Sequence, residues 1–384
     1  MVRVTSYARA LTLLPNGQLR LYNMALDTEP FKAGVTTTLF MAGGMTTDND
    51  GMNMGGRSPD ARMWDSQCRF PTAGLRLGLN PIKPGEILKT EMAQQGQVQF
   101  PWTLFSGNDD AVCLSWTAVT WPDQSAYVWS GDWARVCRRH WYYSGTFLQG
   151  TDRKPACQWI DLDGDTPETG FSLHWPSFTM DREKMPTDKI HIERLRQTIC
   201  NGGAYMSHKE WDPHTASCDP RWEETDIYND TLWRPDGSRN PATLPKRKGK
   251  KKWTDENTKE IGGHMSKGFG YLPPKRPRPQ LARRSRQKHL FDSALVVTDD
   301  PTHSAEELCD HPDSRGPNLV NIHEGRYCHM VDKSLWPTCS GNTSTNCFDK
   351  DARVLMVEGL QERGIPYVNV MDWTGNLNAT AHMV

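Results

Sequence analysis

The 384-residue chain has no apolar run approaching the roughly 18 to 20 residues that cross a bilayer as a helix, so no membrane span is expected. Its cysteine spacings contain no C-x-x-C pair and no paired Cys/His knuckle, which argues against a structural zinc frame. No Gly-rich phosphate cradle and no nucleophile elbow is found, and neither internal repeats nor heptads are visible. Histidine is absent before His140. Met1 to Pro15 carries basic residues but no apolar core of about seven or more residues. An extracellular reading therefore requires a start further upstream, and the alternative is an intracellular protein with reduced thiols. Apolar residues are also scarce, at 36% of the chain, while Gly and Pro number 31 and 26. That balance favours many turns and short strands over long helices.

Charge is sorted along the chain although the net charge is only −1. From Lys246 to Lys288 there are 15 Lys or Arg against Asp255, Glu256 and Glu260, a local +12 that leaves −13 on the remainder. Such a tract can serve as a solvated linker, as dibasic processing sites at Arg247 and Arg284, or as a nucleic-acid tether whose cations neutralise phosphates. Ten cysteines fall into two even groups, Cys68, Cys113, Cys137, Cys157, Cys200 and Cys218 before the tract, and Cys309, Cys328, Cys339 and Cys347 after it. Even counts suit disulfides closed within each group, with the connectivity open, and place the protein in an oxidising compartment. Sequons at Asn229, Asn342 and Asn378 agree with that location and mark glycosylation sites.

Short apolar runs separated by turn signals dominate up to about Met180: Thr36 to Ala42, Leu75 to Leu79, Ile87 to Met92, Val112 to Trp116, Ala126 to Trp129 and Phe171 to Trp175. Several alternate with period two, the pattern of strands with one packed and one wet face. Asp188 to Asn201 reads as a helix, Ala294 to Val297 as a strand, and Ser304-Ala305-Glu306-Glu307 as a capping box opening a short helix. The expected fold is mainly β: an immunoglobulin-like β-sandwich with a helical extension over 1–237, a disordered basic Pro-rich linker over 238–289, and a small disulfide-rich α+β module over 290–384.

Thr302 to Cys309, Gly316 to Val320, Glu324 to Met330, Trp336 to Cys339 and Cys347 to Asp349 together resemble the C-terminal segment of secreted Cys-rich proteins of filamentous ascomycete fungi. The resemblance covers about 60 residues in order and implies secretion rather than an activity. Cys68 to Phe70, Pro84 to Leu88 and Gln94 to Trp102 are more faintly similar to the β-sandwich of lytic polysaccharide monooxygenase-like proteins. The chain departs from those enzymes at one decisive point, because it has no N-terminal His with which to build their copper brace.

Eight tryptophans lie between Trp102 and Trp175. Trp116 and Trp129, inside strand-like runs, are expected in the core, whereas Trp133, Trp141, Tyr142 and Tyr143 are the candidate members of an exposed ring platform that stacks on sugar C–H faces. Asp161 to Glu168 places four carboxylates on a tight turn, but its Gly comes early for a calcium loop and a solvated turn is the favoured reading. His140 and His174 have no motif-defined partner, and no catalytic set, metal or cofactor is assigned. The leading expectation is thus a secreted protein binding cell-wall or extracellular polysaccharide. Two alternatives stand beside it: an intracellular nucleic-acid-binding protein using the 246–288 tract, and a copper-dependent polysaccharide oxidase-like protein with a truncated N-terminus.

Overall fold

The computed structural model describes residues 4–28, 36–44, 56–65, 81–82, 87–93, 99–108, 111–162, 168–201, 205–209, 226–243, 293–341, 343–358, 367 and 369–375. The strand expected at Leu75 to Leu79, Cys68, Cys218, Asn342, Asn378, Arg247 and Arg284 lie outside them, as does the whole basic tract from Lys246 to Lys288. The fold is mainly β, with several antiparallel sheets. A central sheet has the order Trp141–Tyr143, Ala156–Ile160, Val112–Thr120, Thr36–Gly43, Ile87–Ala93, with Ala126–Ser130 also paired to Val112–Thr120. A facing sheet has the order Met206–Lys209, Gly170–His174, Trp102–Ser106, Asp60–Trp64. One core cluster joins the two, with Val112, Leu114 and Ile160 from the first and Phe105, Phe171 and Leu173 from the second. This is β-sandwich packing, in which the inner faces of two sheets fill a shared interior.

The strand Val112–Thr120 is buried at every position because its other face is covered as well. A bulge makes this possible. Ala42 pairs with Trp116 but Gly43 pairs with Leu114, so Ser115 is an extra residue that shifts the alternation. Before it, Leu114 faces the shared core; after it, Trp116 and Ala118 face away, into a cluster with Ala8, Ala10, Met24 and Leu26. Those four residues belong to a long hairpin, Val4–Leu13 with Leu19–Thr28, laid over that part of the central sheet. Trp116 and Trp129 are fully buried, as core residues should be.

The C-terminal segment builds a five-stranded sheet in the order Ser334–Pro337, Arg326–His329, Asn318–Asn321, Ala294–Thr298, Asn369–Asp372. Ala294–Thr298 pairs in parallel with both neighbours, and the helix Ala305–Asp310 lies in the connection to Asn318–Asn321, since parallel partners need a crossover. Ser304 caps that helix by accepting from the Glu307 amide at 3.1 Å. The acidic partner of the cap is Glu324 rather than Glu307. Its carboxylate takes Ser304 Oγ at 2.8 Å and the Ala305 amide at 2.6 Å, which frees Glu307 for contacts elsewhere.

Among the described residues four disulfides join Cys113 to Cys157, Cys137 to Cys200, Cys309 to Cys328 and Cys339 to Cys347. Each closes within its own cysteine group. Constraining the unfolded chain in this way contributes about 2–4 kcal/mol per bridge. Among the described residues no helix is long and apolar enough to cross a membrane.

Candidate functional site

The aromatic platform expected from the sequence does not reach solvent. Trp133, Trp141 and Tyr142 are fully buried and Tyr143 is 3% exposed. The reason is the second covering layer: Trp141, Tyr142 and Tyr143 pack in one cluster with Ala294, Val296, Leu308 and Trp373 of the C-terminal segment. Trp133 instead turns into the sandwich core, where its indole donates to Leu11 O at 2.8 Å and meets Phe178 edge-on. These rings hold the two parts of the chain together.

The seam they form also carries charge. Arg135 places Nη1 at 3.1 Å from both oxygens of Glu307, whose Oε2 also accepts from Tyr143 Oη at 2.7 Å. The fully buried Asp132 accepts from Arg153 at 3.1 Å and from the Ala156 amide at 2.9 Å. Burial pushes the Asp132 carboxyl up, but Arg153 and Arg135 outweigh it and hold the group below its usual range. Lys154 sits 3.7 Å from Asp300, and burial drives His303, 2% exposed, down to about 3. Tyr142 Oη donates to Pro317 O at 2.9 Å, with Gly316 lying against the Tyr142 ring, where an added Cβ would come within 2.5 Å of a ring carbon. The network is enclosed and its buried ions are paired, while Arg153 Nε, His303 Nε2 and the Trp141 and Trp373 indole nitrogens find no hydrogen-bond partner among the described residues.

The histidines do acquire neighbours. His140 Nδ1 lies 3.3 Å from Glu168. His174 packs on Trp102 at 4.4 Å, shares a 2.8 Å hydrogen bond with Ser177, and is lowered by burial to about 4. Burial, helped by Arg139, holds His208 well below the ordinary imidazole value. Neutral imidazoles set among apolar rings are packing elements in this arrangement. The acidic turn differs from its solvated reading at both ends: Asp161 and Glu168 are buried, and their backbones close on each other at 3.1 Å; Asp163 to Pro167 lie outside the described residues. Among the described residues no group of three His, Cys, Asp or Glu is placed to hold a metal.

The opening with ligand-binding chemistry lies on the outer face of the hairpin. The register pairs Arg9 with Asn23 and Leu11 with Leu21. Alternation sends Ala8, Ala10, Met24 and Leu26 inward, and therefore Tyr7, Arg9 and Asn23 outward. Leu11 and Leu13 on that same outer face are covered, because they join the core cluster that contains Trp133 and Phe178. The chain leaving Phe178 reaches the turn Arg182–Lys184. A cavity of about 300 Å³ results, lined by Arg9, Leu21, Asn23 and Arg182. Arg9 stands 3.8 Å from Asp181, which also meets Lys184 at 3.5 Å.

Two exposed rings belong to segments next to the lining residues. Tyr7, 74% exposed, lies two residues before Arg9 on the same strand face. Tyr228, 53% exposed, packs at a tilt against His191 at 4.6 Å and directs its hydroxyl at Lys184 O, 3.4 Å away in the Arg182–Lys184 turn. Sequence reading did not single out any of these residues. The alternation of Tyr7 and Arg9 with Ala8 and Ala10 was a usable signal for the hairpin face; nothing local announced that Arg182 would join it.

Of the sequons, Asn229 is described. It is exposed at the start of the turn Asp230–Leu232, with its Oδ1 accepting from the Thr231 amide at 3.1 Å and from Thr231 Oγ1 at 2.7 Å. Comparison of the chain with models of protein families, with curated proteins and with solved structures finds no match.

Proposed function

We propose that the protein is an extracellular, disulfide-bonded protein that binds cell-wall or extracellular polysaccharide, and that the groove between the hairpin and the Arg182–Lys184 turn is its binding site. The observation that carries this reading is the groove itself: an apolar floor at Leu21, an exposed amide at Asn23 and two guanidinium groups, with the exposed ring of Tyr7 two residues before Arg9 on the same strand face. Sugars present apolar C–H faces and dense hydroxyl edges, so rings beside convergent polar groups suit them. The four disulfides support an oxidising compartment, and the exposed Asn229 sequon supports glycosylation there.

In the same reading the paired sheets are an immunoglobulin-like sandwich and the C-terminal segment is an α+β module. One departure from antibody domains bears on that comparison: Cys113–Cys157 ties adjacent strands of a single sheet instead of bridging two.

The test is a polysaccharide pull-down followed by a glycan array with the folded, oxidised chain. Binding that is lost in Tyr7→Ala supports the reading. Retention of full binding in that variant would move the site elsewhere, and absence of binding to every polysaccharide would remove the function.

A further inference from the structure

We infer that the groove selects saccharides bearing a carboxylate, such as uronic acid units, over their neutral counterparts. This rests on the carbohydrate reading above and adds to it the charge of the ligand. Of the four lining residues among the described ones two are arginines and none is acidic. The neighbouring carboxylate, Asp181, is shared between Arg9 and Lys184 at 3.8 and 3.5 Å, and with Glu183 in the same turn two carboxylates stand against Arg9, Arg182 and Lys184.

Arg182 is the less committed of the two guanidiniums. It is exposed and makes no ion pair among the described residues, and the Asn23 amide beside it makes no side-chain hydrogen bond there. An uncommitted guanidinium presents a planar fork that matches a carboxylate with two parallel hydrogen bonds. The amide next to it can donate to and accept from a vicinal hydroxyl, and Leu21 gives the ring an apolar surface. A free inorganic anion would use the arginines but leave Leu21, Asn23 and Tyr7 idle. A neutral sugar would use those three but leave Arg182 without a counter-charge, since Arg9 alone has Asp181 beside it. The acidic sugar engages the whole set.

The size agrees as well. A volume of about 300 Å³ is at the lower end of small-molecule sites, enough for one or two sugar units with the remainder of a polymer running past Tyr7.

The experiment must separate this groove from the basic tract, because 15 Lys and Arg between residues 246 and 288 attract any polyanion. The probes are oligogalacturonate, the same oligomer fully methyl-esterified, and inorganic polyphosphate. Each is titrated by calorimetry into the full chain and into Arg182→Gln, with Arg326→Gln as an exposed arginine far from the groove. Intact mass and circular dichroism confirm folding of every variant.

The expected result is a preference of about tenfold for the acid over the ester, the size of one charge-assisted pair. Arg182→Gln should collapse that ratio toward one, and Arg326→Gln should keep it. Equal affinity for acid and ester overturns the inference while leaving carbohydrate binding in place, and so does a preference that survives Arg182→Gln. Polyphosphate binding that falls in Arg182→Gln as much as oligogalacturonate binding does would make the groove a plain anion site and overturn it too. Binding of neither oligomer removes both the inference and the reading beneath it.

Discussion

The central sheet is packed on both faces, and the two seams are built from different chemistry. Toward the facing sheet it meets Phe105, Phe171, Leu173 and Trp175, and the contact is an apolar interior of stacked rings. Toward the C-terminal segment it meets an aromatic cluster threaded by ions: Arg135 with Glu307, Arg153 with Asp132, Lys154 with Asp300. A dry seam tolerates small errors of register, because dispersion and burial are nearly non-directional. An ionic seam does not, since each buried charge needs its partner within hydrogen-bonding distance. The first seam joins segments through bulk. The second specifies one docking geometry for the C-terminal segment.

The sharpest way to break that contrast is to remove a single carboxylate. Asp132→Ala strands Arg153, which is buried with it, and should cost about 3–5 kcal/mol in urea unfolding, while Arg135 keeps Glu307. On the dry side Leu114→Ala should cost about 2–5 kcal/mol, as a cavity of lost contacts does. The two differ in rescue rather than in size. Replacing Asp132 and Arg153 together by apolar residues of similar volume should recover much of the loss, because no charge is then left unpaired. If the double replacement is as damaging as Asp132→Ala alone, the ionic account of this seam fails.

Acid should destabilise the fold, with a sign fixed by two buried histidines, His303 in the C-terminal seam and His174 against Trp102 of the facing sheet. His303 and His174 are lowered to about 3 and about 4 from an unfolded value near 6.5. The unfolded chain therefore binds more protons between those limits, so stability is fully present above about pH 6.5 and falls as pH drops toward 4. The His174 contribution amounts to ~3 kcal/mol once both states are protonated. Asp132 and Asp300, also held below their usual range, give up their contribution only at lower pH still. A His303→Asn variant should flatten the slope from pH 6.5 downward, and hydrogen exchange should show the protection gained on the C-terminal side. An unchanged slope would mean that the ring at 303 is not buried in solution.

Much of this architecture was legible in the residues. The runs at Thr36, Ile87, Val112, Ala126 and Phe171 are strands, Lys189–Asn201 is a helix, and Ser304 caps the helix it was expected to open. Period-two alternation and capping chemistry are local, so they survive without knowledge of partners. The fate of Trp141, Tyr142 and Tyr143 was not local. A strand whose two faces are both covered looks in sequence like a strand with one sticky face, and the covering layer comes from beyond residue 293. The same holds for the groove, whose Arg9 and Arg182 come from opposite ends of the N-terminal half. Distant pairings of this kind leave no periodic trace.

A smaller effect tests the directional side of the ionic seam. Glu307→Gln keeps the shape and one acceptor for Tyr143 but removes the charge opposite Arg135, which is 4% exposed. Because Glu307 is 26% exposed and water screens it in part, the cost should be about 1–2 kcal/mol, below that of Asp132→Ala. A cost equal to that of Asp132→Ala would show that solvent does not reach this pair.

The smallest expected effect is at the groove, and its smallness is informative. Tyr7 and Arg182 take no part in either seam: Tyr7 is 74% exposed, and Arg182 lies on an exposed turn. Surface substitutions away from caps, cores and buried charges usually shift stability by less than about 0.5 kcal/mol. Tyr7→Ala and Arg182→Gln should therefore match the unsubstituted chain in urea midpoint and in slope. A large loss for either would make the residue part of the packing, and its effect on ligand binding would then report folding. With stability unchanged, the contrast closes from the other side: ions buried in the seam carry stability, while Arg182, left uncommitted at the groove, is free to meet a ligand.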